Sequence, residues 1–521
     1  MIRPWEYPLT MGEVFNAHLT QRPDKTALTT TDGHSVTFAQ LEERTNCLFN
    51  ALSAQGIQPE DRVAILSYNR PEYMEVFGVS KTGVIVVPLN WRLAAPELLR
   101  LLRHSGSRAL IVEENFVPIV ESLRNQLDKI DTYIVIGKAR NGWIAYEDLV
   151  TKADSKTPEA QAKPDDVLCL VYTSGTTGAP KGVKITHRGA LENCRSEAQE
   201  MLSLTEDDYA LAVLPLFHVG GMWYHLFPSF ATGCTSLLMP QFDPEKLLQA
   251  MQDWKITNVH LVPTMVGALL NHPRVDQFDL THLRIILYAA SSMPAEVLRR
   301  AMRTFHKCSF AQAYGSTEAG TVTGLYPEDH ILAQSPDYEH ILSSCGKPFK
   351  NRQIRILNAN DQDVATGEIG ELTVRSPGIM TGYWNDDAAT RTTFQNGWVY
   401  TGDLARRDEQ GYYYIVDRKN DMIVTGGENV YPTEVEAYLY ADSRILEAAV
   451  FGIADPKWVE KVVAAVVLKS GEAATENELI QQLRNHLAAY KCPKEIYFVS
   501  VLPKSGAGKV LRKSLRNQYS Q

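Results

Sequence analysis

Chemistry-bearing residues are densest in Tyr172-Thr173-Ser174-Gly175-Thr176-Thr177-Gly178-Ala179-Pro180-Lys181-Gly182-Val183. Its three glycines leave backbone N–H groups uncovered, its four hydroxyls add donors, and Lys181 adds a positive charge. A loop of this make-up can wrap a polyphosphate. It is not a G-x-x-x-x-G-K-[ST] loop, because no Gly-Lys-Ser/Thr stands at the required spacing. A flexible linker is also rich in Gly, Ser and Thr, but it lacks both the Pro180-Lys181-Gly182 ending and the apolar run before it. Further along, Glu318 closes Tyr314-Gly315-Ser316-Thr317-Glu318, Asp403 follows Thr401-Gly402, and Arg418 follows Asp417. An ionised carboxylate such as Asp403 only accepts hydrogen bonds, which suits a diol. Lys509 stands in the glycine-rich Ser505-Gly506-Ala507-Gly508-Lys509; taken alone, such a lysine reads as solvated.

These residues need elements to position them. Thr37 to Gln55 carries helix-spaced apolar residues (Phe38, Leu41, Leu48, Leu52) and ends at Gly56. Val63 to Leu66 is a short apolar run, expected as a buried strand. Tyr73 to Thr82 and Pro96 to His104 read as helices, Val84 to Pro88 and Ala109 to Val112 as strands. Ser155 to Asp166 reads as a loop, and Val167 to Tyr172 as the strand that feeds the Gly/Thr loop. This alternation, resumed from Ala190 to about Cys308, predicts a layered α/β fold with parallel strands. From Lys350 the pattern changes to antiparallel strands: Gln353 to Leu357, Gly370 to Val374 and Tyr412 to Val416. The tail from about Asp421 has its own α+β pattern, with strands Glu447 to Phe451 and Val462 to Val467 and a helix Glu476 to Leu487. A chain of 521 residues exceeds what one core organises, so at least two units are expected.

The Tyr172–Val183 string closely resembles the phosphate-loop signature of the adenylate-forming superfamily, which includes acyl-CoA synthetases, luciferases and peptide-synthetase adenylation domains. Further motifs of that superfamily follow in order: Leu214-Pro215-Leu216-Phe217-His218, Ala313-Tyr314-Gly315-Ser316-Thr317-Glu318, Tyr400-Thr401-Gly402-Asp403, Asp417-Arg418, Gly426-Gly427-Glu428-Asn429 and Pro503 to Lys509. The resemblance spans nearly the whole chain and is closest to bacterial acyl-CoA synthetases. It implies an acid–CoA ligase that uses ATP, Mg²⁺ and coenzyme A and passes through an acyl-adenylate. A carboxylate must then attack the α-phosphate of ATP, so two anions are brought together and need cations and N–H dipoles around them.

By that resemblance, Thr173, Ser174, Gly175, Thr176, Thr177, Gly178 and Lys181 hold the β- and γ-phosphates. Thr317 bonds the α-phosphate and Glu318 holds Mg²⁺. Tyr314 packs on the adenine, near Ala289, Ala290 and Ser291. Asp403 takes the ribose hydroxyls with Arg418 beside it, and Lys509 bridges substrate carboxylate and α-phosphate. Gly426 and Gly427 face the pantetheine channel after a swing of residues 420–521 against 1–419, about a hinge at Asn420. The chain departs from relatives at three places: Asn420 where Asp or Lys is usual, Ala289-Ala290-Ser291-Ser292 for Gly-Gly-Ala-Pro, and Val459 for a frequent glycine.

Composition narrows the acid and the partners. Lys and Arg number 52 against 61 Asp and Glu, a net −9 that argues against nucleic acid as the main partner. No apolar run reaches the ~20 residues of a membrane span; peripheral membrane contact and a homodimer stay open. The seven cysteines are scattered, with no C-x-x-C pair, so they read as buried small hydrophobes of a reduced, cytoplasmic protein without a zinc site. No targeting signal is read in Met1 to Leu9 or in the final four residues. His218 stands where amino-acid-activating relatives usually have Asp, so an amino acid is disfavoured. It reads either as a gate of the acyl pocket or as a packed histidine. Met222, Trp223, Tyr224, Phe227, Met265 and Tyr288 are either pocket wall or core. A small-molecule carboxylic acid of apolar character, fatty or arylalkenoic, is the expected substrate. The competing acceptor to CoA is the pantetheine of a carrier protein.

Overall fold

Runs such as Val63-Ala64-Ile65-Leu66 have no polar face to offer water, so both faces must be covered, as in a parallel sheet between helices. The computed structural model, which describes residues 10–159, 161–173, 180–291, 293–425, 428–456, 458–504 and 509–520, contains two such sheets. The first runs from Ile144–Ala145 through Thr132–Ile136, Ala109–Glu113, Arg62–Leu66, Ile85–Pro88 and Val167–Thr173 to Lys181–Thr186. Its pairings are parallel except the last, which is antiparallel. The second has nine strands, with Ser309–Ser316, Ile285–Ala289 and Asn258–Leu261 side by side and parallel near one end. Antiparallel strands close both of its edges.

The expected antiparallel part is present as Gln353–Leu357, Gly370–Arg375, Trp398–Arg407 and Tyr413–Arg418, with the short Phe394–Gln395. The last long strand starts one residue after the expected Tyr412 and runs on to Arg418, because pairing with Trp398–Arg407 continues past a bulge at Val416. The C-terminal sheet is built on Ile445–Asp455 and Val459–Leu468, and its residues Ile423, Val450 and Val462 share a core of their own with Leu479 of the helix Glu476–Arg484.

Three local differences are present. The helix expected at Tyr73 to Thr82 starts at Pro71, whose fixed φ suits a first turn. It tightens to 3₁₀ at Ser80–Thr82 and stops at Gly83, φ +88°. The helix from Glu476 ends at Arg484 rather than Leu487. Ser196–Met201 and Met222–Leu226 are π-helical, which apolar spacing does not separate from α. All seven cysteines are free and six are buried, as their scatter implied. No helix among the described residues is long and apolar enough to cross a membrane.

Candidate active site

Strand register builds the centre of the site. Asp403 on Trp398–Arg407 stands directly opposite Arg418 on Tyr413–Arg418. Arg418 Nε donates to Asp403 Oδ1 at 2.6 Å. The other oxygen, Oδ2, accepts from the Tyr314 hydroxyl at 2.5 Å. Asp403 is buried, so a carboxylate there needs both partners to offset its lost hydration. Tyr314 was expected only as an adenine-stacking ring; its hydroxyl also fixes Asp403. Burial and the adjacent Asp403 charge push the Tyr314 phenol well above its ordinary pKa, so it remains a donor.

Tyr314 lies on Ser309–Ser316, which turns through Thr317, Glu318 and Ala319 into the antiparallel Gly320–Leu325. Ser316 Oγ accepts from the Ala319 N–H at 3.0 Å and tightens that turn. Gly315 is obligatory: a Cβ there would sit 2.1 Å from the Gly320 carbonyl oxygen. On the neighbouring strand Ala289 pairs with Ala313, which sets Ala290 and Ser291 at the strand end beside Tyr314. Ala290 has φ +76°, a conformation glycine adopts without strain and alanine does not.

Glu318 Oε1 accepts from Thr173 Oγ1 at 3.2 Å and from the Tyr383 hydroxyl at 3.1 Å. Thr173 and Lys181 are register partners where their hairpin enters the Gly/Thr loop, and Thr173 brings that end of the hairpin against Glu318. Ser174, Gly175, Thr176, Thr177 and Gly178 lie outside the described residues, as do Gly426 and Gly427. Tyr383 is a site residue the sequence reading missed. The 382–384 segment pairs with Lys181–Thr186, through Lys184 N–H to the Gly382 carbonyl and Trp384 N–H to the Gly182 carbonyl. That places the Tyr383 ring 4.8 Å from Lys181 Nζ. The only signal in the sequence was the Gly382-Tyr383 pair, which had no partner to be read against.

Lys509 reaches the same cluster from the other end of the chain. Its ammonium interacts electrostatically with Arg418, Asp403 and Glu318. Crowding by protein atoms and the Arg418 charge lower its pKa, and the two carboxylates oppose this, although water still reaches the residue's surface. Thr317 lines a small cleft together with Asn193, Val219, Trp223, Tyr224 and Ile379. His218 begins the helical segment carrying three of these residues, its carbonyl accepting from the Gly221 and Met222 N–H groups at 3.1 Å. Of the aromatics left open between wall and core, Trp223, Tyr224, Phe227 and Tyr288 are all core, and Trp223 and Tyr224 also border the cleft.

Among the described residues no group of three or more His, Cys, Asp or Glu is placed to hold a metal. Glu318 alone fits a Mg²⁺ carried mainly by substrate phosphates and water, the usual arrangement for that ion.

Comparisons with known proteins agree with this geometry. Residues 15–384 match the AMP-binding enzyme family and 434–509 the AMP-binding enzyme C-terminal domain. The chain is 34% identical over 510 residues to an indoleacetate–CoA ligase of Aromatoleum aromaticum, covering 98% of each chain. It is 36% identical over 488 residues to a feruloyl-CoA synthase of an Amycolatopsis species, covering 94% of each. Among solved structures it is similar to the anthranilate CoA ligase AuaEII in complex with anthranoyl-AMP. There the TM-score is 0.90 at 30% identity, over 98% of this chain and 97% of that one. The chain belongs to the AMP-binding, adenylate-forming enzymes, on the acyl-CoA synthetase side of that family.

Proposed function

We propose that this protein joins an apolar carboxylic acid to coenzyme A at the expense of ATP, releasing diphosphate and then AMP. The observation that carries the reading is Asp403 held between Arg418 and Tyr314, with Glu318 bonded to Thr173 at the Gly/Thr loop and Lys509 within electrostatic reach of both carboxylates. A cation beside a ribose-type carboxylate and a single metal-type carboxylate is what an attack of carboxylate on an α-phosphate requires.

In this reading Asp403, held by Tyr314 and Arg418, accepts the ribose hydroxyls. Thr173 to Lys181 takes the outer phosphates, and Thr317 the α-phosphate. Glu318 holds Mg²⁺, which neutralises phosphate charge. Ala289, Ala290 and Ser291 border the adenine with Tyr314. Lys509 draws the acid's carboxylate to the α-phosphate in the first step. Residues 420–521 then turn about Asn420, withdrawing Lys509 and bringing Gly426 and Gly427 to the pantetheine arm. His218 borders the acyl group. The acid is fatty or arylalkenoic in class; the similarity to a feruloyl-CoA synthase supports the second.

The test is diphosphate release with ATP, Mg²⁺ and a panel of fatty, cinnamic, benzoic and amino acids, with and without CoA. Release with one apolar class that rises on adding CoA is expected. Acid-dependent release indifferent to CoA assigns the acyl group to a carrier protein instead. No release with any acid overturns the reading. Lys509→Ala should lower acid-dependent diphosphate release by at least about a hundredfold. It should spare thioester formation from preformed acyl-AMP. Equal loss in both steps refutes its role.

A further inference from the structure

Tyr383 touches both the lysine that leaves the Gly/Thr loop and the carboxylate read as the metal ligand. Its hydroxyl lies 3.1 Å from Glu318 Oε1. An ionised carboxylate only accepts, so the phenol is the donor. Thr173 Oγ1 donates to the same oxygen at 3.2 Å, and two donors on one oxygen restrain the carboxylate's rotation. The Tyr383 ring lies 4.8 Å from Lys181 Nζ, within reach of a cation–π attraction. The residue is 4% exposed.

The backbone that carries Tyr383 is bonded to both neighbours. The Met380 N–H donates to the Glu318 carbonyl at 2.9 Å, and the Trp384 N–H donates to the Gly182 carbonyl at 2.7 Å. Between these ties Tyr383 bridges to Val183, and its N–H donates to Thr390 Oγ1 at 2.9 Å. Residues 380–384 thus form a strap from the turn that holds Glu318 to the strand Lys181–Thr186. The Tyr383 ring belongs to the same core cluster as Val183 and Met380. Phenylalanine would serve that packing and the Lys181 contact equally well; the hydroxyl is the part that meets Glu318.

We propose that Tyr383 is a positioning residue whose hydroxyl orients the Glu318 carboxylate for a Mg²⁺ carried by ATP, so that the benefit Mg²⁺ brings to nucleotide binding depends on this one O–H. This rests on the ligase reading above and concerns its nucleotide half alone. Groups that orient a metal ligand typically account for about 10–100-fold in metal affinity. Thr173 remains on Oε1 when the tyrosine hydroxyl is removed, so the lower end of that range is expected.

The experiment measures ATP binding by titration calorimetry in the absence of acid, so that no adenylate forms, in EDTA and in saturating Mg²⁺. Wild-type protein should bind ATP more tightly in Mg²⁺. Tyr383→Phe keeps the ring and loses only the O–H. Its affinity in Mg²⁺ should fall roughly tenfold, while its affinity in EDTA should match the wild type. In a Glu318→Ala background Tyr383→Phe should cost nothing further, because the hydroxyl then has no carboxylate to orient. Equal Mg²⁺ dependence in wild type and Tyr383→Phe overturns the proposal. A loss of the same size in EDTA, or with Glu318 already removed, overturns it too, since that is the mark of a packing role. Wild-type protein that binds ATP equally with and without Mg²⁺ removes the metal role of Glu318, and no ATP binding at all removes the ligase reading. Both take this inference with them, and both differ from Mg²⁺-dependent binding that ignores Tyr383.

Discussion

Five histidines are buried at 2% exposure or less: His18, His187, His225, His260 and His330. Burial holds them neutral, with pKa values lowered to about 4 for His187, His225 and His330 and about 3 for His18 and His260. The Arg22 charge adds to the effect at His18, and His225 adds to it at His260. In the unfolded chain each returns to the ordinary value near 6.5. Above that pH neither state binds the proton and the contribution is nil. As pH falls below it, the unfolded chain takes up protons that the folded one refuses, so stability is lost progressively until about pH 4 to 3. Between pH 7.5 and 5.5 each histidine costs about 1.4 kcal/mol. Buried Glu197 works in the opposite sense, since burial raises its carboxyl well above the usual range.

The clean perturbation is therefore a difference. His225 bonds Asn258 through Nε2 at 2.8 Å, and His330 bonds the Tyr288 hydroxyl through Nε2 at 2.9 Å; they share no partner. A His225→Gln/His330→Gln double variant has two fewer titrating groups, and every carboxylate term cancels against the parent. Its loss of stability between pH 7.5 and 5.5 should be smaller by about 2.7 kcal/mol. At ~2.1 cal/mol/K per residue over a unit of roughly 400 residues, that is on the order of 3 °C in Tm. The assay is Tm by calorimetry across that pH range for both proteins. Equal pH dependence in parent and variant refutes the premise that burial holds these rings neutral.

Tyr314→Phe removes the 2.5 Å bond to Asp403 but leaves Arg418 in place. Initial rates against ATP should show KM raised roughly tenfold or more with Tm little changed. Val459 is 69% exposed and held at φ +71°, a costly conformation for a β-branched residue. Val459→Gly should stabilise the C-terminal unit by about 1 kcal/mol in denaturant unfolding, strain relief exceeding glycine's entropy cost. An unchanged midpoint would show the turn is not strained. Glu318→Gln leaves no carboxylate for the metal, so titration of diphosphate release with Mg²⁺ should shift to at least about tenfold higher concentration. A superimposable titration refutes that assignment.

Much of this protein was legible in one dimension. Apolar runs without a polar face, such as Val63 to Leu66, can only be central strands, and their alternation with helices dictates parallel layers. The Gly/Thr loop, Thr317-Glu318, Asp403, Arg418 and Lys509 were singled out because their strings, weak one by one, resemble adenylate-forming motifs when taken together in that order. Other features depended on long-range pairing, to which local pattern is blind. Tyr383 reaches Glu318 only because residues 382–384 pair with Lys181–Thr186, some two hundred positions earlier. Tyr314 clamps Asp403 only because strands of two different sheets, 89 positions apart in the chain at these residues, come together. Spacing did not show that Trp223 and Phe227 both pack on Phe77 in the core while Trp223 alone of the two also borders the cleft, because that depends on the rotation that tertiary packing sets. The sequence determined which chemical groups the site contains; the tertiary structure decided which of them touch, because hydrogen bonds and burial depend on distances that the chain's order does not encode locally.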